Sequence, residues 1–517
     1  MYSFKLAENK TTFAREIIAG CVTYAAMAYI LCVQPAVMAG TFFGPGMATG
    51  MDEAALITAT CLVCAIGSIA MGLFTRYPFA MAPGMGTNFF VVLELFPACA
   101  MVLGPSCGLN AVWMLGMAVV FAAGLLFFIL SLFKVREQIL FILSDSMKMA
   151  ICAGIGLFIA FLGMTNATLI QIQDNQLGLG SFLTPAMAIF LTGFLVSSIL
   201  MIRKFPGAIL LGMFAASVVA YFVGELQIDQ IMSQPANPMK VVGKLDMAGL
   251  FAHFWRLLPF IFILTFMDVF DAFGTFVGLG YLGGFFAKDG KLPRIERLFL
   301  ADAGVTMFGA YCGHSTMTTY LESSAGIESG GRTGLVAVTV GVLFFLSLFF
   351  SPLIMAVGNC APITASALIL VGIMMMQSVM LVDWGDMTES IPAFFIVAGI
   401  PFFNSISNGI LCGVVIYPIL KISAGRWKEV KPGMYVLAIL MLCYAVGFGL
   451  NQKTQTTPET PEAPVESNSV MEETPSAPIL TDDTQKKLKK VGRPPLRENE
   501  NVLYYAPIRA SSRRSYL

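Results

Sequence analysis

The sequence predicts an all-α, polytopic membrane protein, and two observations support that prediction. Of the 517 residues, 57% are hydrophobic and 12% are charged, whereas about a quarter of a typical soluble domain is charged. The apolar residues also form long runs, and a helix needs about 20 such residues to cross a bilayer. The formal net charge is zero, so the overall charge indicates no nucleic-acid partner.

Most apolar runs are long enough for a full crossing, and we predict them as transmembrane helices. They fall at about 16–39, 54–73, 110–133, 145–163, 184–202, 206–224, 257–281, 297–312, 332–356, 362–381, 391–403 and 404–420. Two further segments, 79–96 and 312–326, are short and interrupted. Broken segments in matching places of two halves are typical of the binding site of a transporter.

The two broken segments correspond under one gap-free shift of the sequence. A shift of 237 residues places Met85 on Glu322 and Gln34 on Asp271. Because identity between the halves is low, a chance match of small residues remains one interpretation. The functional interpretation is an inverted repeat of about seven helices, with a site where the repeats meet.

Basic residues occur in alternate loops, which predicts a cytoplasmic N-terminus in the cell inner membrane. The linkers 40–53, 97–109 and 164–183 contain no Lys or Arg. The apolar segment 433–450 has three interpretations: a crossing, an interfacial helix or a helix packed on the bundle. The composition from Asn451 onward is typical of a disordered tail, and its basic clusters favour the cytoplasmic side.

Carboxylates at membrane depth mark the candidate site, because they are costly there and are seldom retained for structure alone. Glu322 lies in a run rich in hydroxyl groups, which must be buried in protein or line a cavity. Asp268 and Asp271 are three residues apart and share one helix face, on which Thr275 follows one turn later. Asp302 is a further intramembrane carboxylate, which we expect to lie behind the site.

The other broken segment supplies backbone groups to the site. Pro83, Gly84 and Gly86 predict an unwound start, followed by a half-helix that carries Asn88. The first turn of such a half-helix presents free N–H groups and the positive end of the helix dipole. An ordinary kink at Pro83 is the alternative interpretation.

Taken together, these motifs resemble the AzgA-like purine permeases of the nucleobase:cation symporter branch, which includes the uracil and xanthine permeases. The resemblance extends over about residues 10–450. The runs that carry it are 12–20, 27–30, 82–86 with Asn88, 268–275, 315–323, 330–335 and 391–394.

The resemblance implies fourteen transmembrane helices in two inverted seven-helix repeats, with short extended stretches in helices 3 and 10 that meet at the substrate. It divides the chain into core and gate domains. The expected parts are core 1–140 (helices 1–4), gate 141–250 (helices 5–7), core 251–357 (helices 8–11), gate 358–450 (helices 12–14 and the extra segment) and a disordered cytoplasmic tail 451–517.

In the family that the chain resembles, an acidic residue of helix 8 and a glutamate of helix 10 bind the nucleobase. The motif places the glutamate on Glu322, and the glycine pattern of helix 8 favours Asp271 over Asp268, although both are kept. Uracil permeases have a histidine where this chain has Thr275. The expected substrate-binding residues are Glu322, Asp271, Asn88, Gly86, Thr87, Tyr320, Leu321, Ser323 and Thr275. The expected proton-coupling or supporting residues are Asp268, Asp302 and Thr319.

The expected function is proton-coupled uptake of adenine, hypoxanthine or guanine by alternating access. We expect no cofactor or metal, with H⁺ as the coupling ion and Na⁺ left open. The expected partners are the purine and the lipid bilayer, and a homodimer through the gate domain is left open. The alternatives are a uracil/xanthine-type carrier, an anion carrier of the same fold, a channel and an intramembrane enzyme.

Overall fold

The computed structural model describes residues 4–44, 47–104, 107–132, 143–173, 176–205, 207–228, 230–287, 292–435, 437–439 and 441–442. Ten helices within these ranges are long and apolar enough to cross a membrane. This finding confirms the prediction of a multi-pass, α-helical integral membrane protein. The predicted tail 451–517 and the end of segment 433–450 lie outside the described residues.

The first half of the chain contains helices that run close to the predicted apolar segments. Their bounds are α1 Phe13–Met27, α2 Ile30–Ala39, α3 Glu53–Thr75, α4 Met85–Phe90, α5 Phe96–Leu103, α6 Leu109–Leu132, α7 Asp145–Asn166, α8 Pro185–Ile202 and α9 Ala208–Val223. A π-helical segment, Val91–Leu95, joins α4 to α5. Residues 85–103 therefore form one continuous helix with a π-helical middle.

The second half of the chain is also mainly α-helical. Its helices are α10 Met247–Ala252, α11 Phe254–Gly283, α12 Ile295–Tyr311, α13 Ser323–Glu328, α14 Leu335–Leu346, α15 Ser351–Gly358, α16 Ala361–Met376, α17 Met387–Phe402 and α18 Ile406–Ser423. Residues 432–435, 437–439 and 441–442 are also helical. The described part of segment 433–450 packs on the bundle, since Leu437 and Met441 face a small cavity together with Phe270 and Val414.

Side-chain caps fix where several of these helices begin. The Thr12 side chain accepts from the backbone N–H of Arg15 at the start of α1, and Asp52 accepts from Ala55 at the start of α3. Ser144 caps α7 in the same way. Each cap satisfies one of the N–H groups that have no partner inside the helix.

Two linkers contain more structure than the sequence predicted. Within 164–183, β2 Ile170–Gln173 pairs antiparallel with β3 Gln176–Leu179. Within 225–256, the short helix α10 precedes α11. The apolar–polar alternation of Ile170 and Gln171 was the available strand signal, but strands of four residues are too short for periodicity to be decisive.

The helices pack in two groups. The first helix group consists of α1–α6 and α11–α15, and the second helix group consists of α7–α9 and α16–α18. Packing is dense within each group and sparse between them. The two groups interleave along the sequence, as the core and gate parts of the resemblance would.

Glycines allow the closest helix approach within the second helix group. A Cβ placed on Gly372 would lie 2.5 Å from the carbonyl oxygen of Gly156, and one on Gly156 would lie 2.8 Å from that of Gly372. No side chain fits at such a distance, so α7 and α16 contact each other through their backbones.

Candidate functional site

The two broken segments meet as a short antiparallel pair. Strand β1, Met81–Pro83, pairs with β4, Met317–Thr319, in a register that sets Ala82 opposite Thr318. Two further backbone bonds extend the pair: the Gly84 N–H donates to the Thr316 carbonyl at 2.9 Å, and the Tyr320 N–H donates to the Ala80 carbonyl at 3.0 Å. The non-helical backbone is thereby satisfied inside the protein, as a membrane interior requires.

Side chains hold this pair in place from both sides. The Ser323 hydroxyl accepts from the Ala80 N–H at 3.1 Å, and the Tyr320 hydroxyl donates to the Pro83 carbonyl at 2.6 Å. Ser68 of α3 accepts from the Met81 N–H at 3.0 Å. The half-helices that follow the two strands therefore start from a rigid support.

Asn88 is fixed by a buried hydroxyl network. Its side-chain oxygen accepts a short hydrogen bond from the Ser315 hydroxyl. Thr87 donates to the Gly84 carbonyl at 2.9 Å and accepts from the Thr316 hydroxyl at 3.0 Å. Asn88 is fully buried, so this network determines the direction in which its amide points.

Glu322 lies immediately before α13 and, among the described residues, has one direct side-chain partner. The Tyr29 hydroxyl, between α1 and α2, donates to its Oε1 at 2.8 Å. Tyr29 is 1% exposed and Glu322 is 8% exposed. The charge of Asp271 also acts on Glu322, more weakly than burial and the Tyr29 hydrogen bond do, so two carboxylates from different segments interact electrostatically.

Helices α11 and α12 supply the remaining carboxylates. Asp271 is half-buried, whereas Asp268 is 2% exposed and Asp302 of α12 is fully buried. One oxygen of Asp268 accepts from the Thr306 hydroxyl at 3.1 Å. Among the described residues, its other oxygen and both oxygens of Asp302 form no hydrogen bond of normal geometry, and Thr319 is the nearby donor for Asp302. Asp268 and Asp302 interact electrostatically, so they form an acidic cluster behind Asp271.

The structure brings the predicted residues together at the β1–β4 pair. Gly86 lies against helix α7, since a Cβ there would be 2.6 Å from Ile155. Thr319 and Thr275 are buried, and Leu321 is 37% exposed. The site therefore lies where the first helix group faces the second.

His314 lies at the start of the second broken segment and has polar neighbours at both ring nitrogens. It is fully buried, and its Nε2 lies 2.8 Å from the Thr60 hydroxyl. Its Nδ1 lies 3.1 Å from the Cys312 carbonyl oxygen. With both ring nitrogens satisfied, the ring connects α3 to the start of the second broken segment.

Sequence reasoning missed two elements of the site. Tyr29 was noted only as part of the motif 27–30, although its hydroxyl contacts Glu322. Thr306 was not considered, although it bonds both Asp268 and the backbone of Met317. A tyrosine within an apolar run was the available signal for Tyr29, because a buried hydroxyl needs a partner.

Two broken segments pair between the two helix groups, and a buried carboxylate lies beside them. This arrangement is typical of a membrane transporter with a central binding site. The chain matches the profile of the Permease family, Xan_ur_permease, over residues 14–408. It belongs to this family of xanthine/uracil permeases. The alternative of an intramembrane enzyme is therefore wrong.

Curated relatives match over most of their lengths. The guanine/hypoxanthine permease PbuO of Bacillus subtilis is 38% identical over 84% of this chain and 98% of its own. The adenine permease AdeP of Escherichia coli is 36% identical over 85% of this chain and 94% of its own.

Among solved structures, the transmembrane domain of the cyanobacterium bicarbonate transporter BicA has a similar fold. Its TM-score is 0.54 at 17% identity, with 78% of this chain and 97% of that chain covered. At this identity the likeness concerns the fold alone.

Proposed function

We propose that the protein imports purine nucleobases by proton symport, through alternating access. The observation that carries the proposal is Glu322, which accepts from Tyr29 next to the β1–β4 pair and interacts electrostatically with Asp271. Relatives named as guanine/hypoxanthine and adenine permeases support the purine class.

The chemistry of a purine fits this arrangement. Its ring N–H and amino groups are donors, and a carboxylate such as Glu322 only accepts. A site built to pair such donors rejects rings that lack them, because its own groups would be left unpaired. Asn88 and the first turn of α4 would contact the acceptor edge of the ring.

For the architecture, we propose fourteen crossings in two inverted repeats, with the N-terminus in the cytoplasm and the protein in the plasma membrane. The first helix group would be the core and the second the gate. Sparse packing between the groups supports their relative movement. The homodimer through the gate domain stays a prediction.

Proton coupling is supported by the acidic cluster. Asp268 and Asp302 bury carboxylate oxygens that form no hydrogen bond of normal geometry with the described residues. An ionised carboxylate is very costly in such a place, and a bound proton removes that cost. Gain and loss of this proton on opposite sides of the membrane would couple the gradient to movement of the core.

The anion-carrier alternative takes support from the fold shared with a bicarbonate transporter. However, Glu322, Asp271 and Asp268 place several carboxylates at or behind the site, where they would repel an anionic substrate. A purine permease therefore fits the site better.

The test is uptake of radiolabelled hypoxanthine by cells that lack their own purine permeases. Glu322→Gln should abolish uptake while surface expression is retained. The matched control is Glu328→Gln, at the end of the short helix that follows Glu322 and with an exposed side chain, and it should transport normally. Competition by adenine, guanine, xanthine and uracil would rank the substrates.

A proton uncoupler should stop wild-type uptake, whereas replacing Na⁺ with choline should not. Normal proton-driven uptake by Glu322→Gln would overturn the assigned site. Dependence on Na⁺ would overturn the assigned coupling ion.

A further inference from the structure

Glu94, in the π-helical segment between α4 and α5, makes an unusual set of contacts. Its carboxylate accepts from the backbone N–H groups of Ile406 and Ser407, the first two residues of α18. The Ser407 N–H lies 3.2 Å from Oε2 and 3.3 Å from Oε1. The Ser407 hydroxyl also donates a short hydrogen bond to Oε2.

These contacts complete the N-terminus of an 18-residue helix. The first N–H groups of a helix have no partner within it. Here the side-chain cap, Ser405, satisfies only one of these N–H groups. Ser405 accepts from Asn408 at 3.2 Å, while Glu94 takes the two N–H groups before it. A negative charge is favourable at this end of the helix dipole.

The contact joins the two helix groups. Glu94 belongs to the continuous helix 85–103, which packs on α6 in the first group, whereas α18 packs on α17 in the second. Glu94 lies six positions after Asn88 of the proposed site. The same helix therefore carries a proposed substrate ligand near its start and a bond to the opposite helix group at its π-helical middle.

The π-helical geometry is a second, independent observation. Val91–Leu95 interrupts an otherwise α-helical segment, and such insertions are frequent at functional sites because they redirect side chains. The sequence around Glu94 is apolar, so a lone carboxylate there is costly. The donors at the start of α18 offset that cost in the described state.

We propose that Glu94 is a latch that holds the core against the gate on the side of the site where α5 ends and α18 begins. By the predicted orientation this is the outer side. Breaking the latch would be a step of each transport cycle, so Glu94 would be a positioning residue that does not touch substrate. This inference rests on the proposed alternating access.

The experiment compares Glu94→Gln with Glu53→Gln, a matched control. Glu53, at the start of α3, accepts from Asn359 at 3.3 Å, so it connects elements of the first helix group only. A glutamine at position 94 keeps the size but replaces one acceptor oxygen with an amino group, which cannot accept from an N–H. Both variants receive a reporter, Val91→Cys, at a fully buried position one turn from Glu94.

The readout is labelling of the reporter by a membrane-impermeant maleimide added outside intact cells. Background from the natural cysteines is subtracted using the same variants without the reporter. Glu94→Gln should raise the labelling rate by at least about tenfold, the effect of losing hydrogen bonds to a charged group. Glu53→Gln should leave the rate unchanged.

Nucleobase binding to the purified proteins is measured in parallel. A latch predicts that Glu94→Gln binds hypoxanthine normally while uptake falls. Unchanged labelling with unchanged uptake would overturn the latch, and so would equal labelling in the two variants. Failure of the wild-type protein to bind or transport purines would instead refute the proposed function, because the labelling result needs no substrate.

Discussion

Replacement of Tyr29 by phenylalanine isolates one hydrogen bond of the proposed site. The Tyr29 hydroxyl donates to Glu322 at 2.8 Å, and both side chains are almost fully buried. Phenylalanine keeps the ring and its packing, so the variant loses the hydroxyl and little else. The carboxylate then keeps no direct side-chain donor among the described residues.

The size of the effect depends on the charge of Glu322. A hydrogen bond to an ionised group contributes about 1.5–3 kcal/mol, against about 0.5–1.5 kcal/mol between neutral groups. These energies correspond to losses of about 10- to 150-fold and about 2- to 10-fold. The measured loss therefore also reports whether Glu322 carries a proton in the state that binds substrate.

The assay is initial-rate uptake of labelled hypoxanthine over a range of concentrations, with surface expression measured in the same cells. Tyr24→Phe is the matched control. Tyr24 lies in α1, five positions before Tyr29, and its hydroxyl forms a hydrogen bond with Ser347 at 2.6 Å rather than with Glu322. The reasoning is refuted if Tyr29→Phe transports with wild-type KM and rate, or if the two variants lose activity equally.

Two stability predictions follow from features outside the site. Hydrogen bonds from the Thr388 hydroxyl and amide, with a further one from Arg426, hold the pKa of Asp386 well below its usual range. This stabilisation is present above the unfolded pKa of about 3.9 and is lost as pH falls through the depressed folded value. Asp386→Asn should therefore lower the Tm at pH 7, and the difference from wild type should narrow below about pH 4. Asp383→Asn in the same turn is the control, and an equal Tm loss in both variants would contradict the reasoning. Gly372→Ala should destabilise the protein by about 1–3 kcal/mol through overpacking, because its Cβ would meet the Gly156 carbonyl at 2.5 Å. Gly304→Ala, whose nearest neighbour would lie at 4.0 Å, should be nearly neutral in the same thermal-shift measurement.

The sequence predicted the helices well because membrane crossing requires long apolar runs. It also indicated the two broken segments, because Pro83 lacks the N–H that an α-helix needs and the hydroxyl-rich run around Glu322 cannot face lipid. The intramembrane carboxylates Glu322 and Asp271 were singled out by their energetic cost. These signals depend on neighbouring residues in the sequence, so they can be recognised without knowing the tertiary contacts.

The contacts that organise the site were not predictable in this way. Tyr29 and Glu322 are 293 positions apart, and Glu94 and Ser407 are 313 apart. Sequence periodicity gives no information about contacts at such separations. A glutamate in an apolar run also does not indicate which helix N-terminus its carboxylate will bind. The π-helical segment also lacks a distinctive residue pattern within its apolar run.

The β1–β4 pair has a consequence for biosynthesis. Pro83 and its partner Tyr320 are 237 positions apart, and ribosomes add about 5–20 residues per second. The backbone of Met81–Pro83 is therefore synthesised roughly 10–50 s before its partner strand. During that time its polar groups need water or another temporary partner. A first half expressed alone should be cleared by membrane proteases, and co-expression of the second half should protect it.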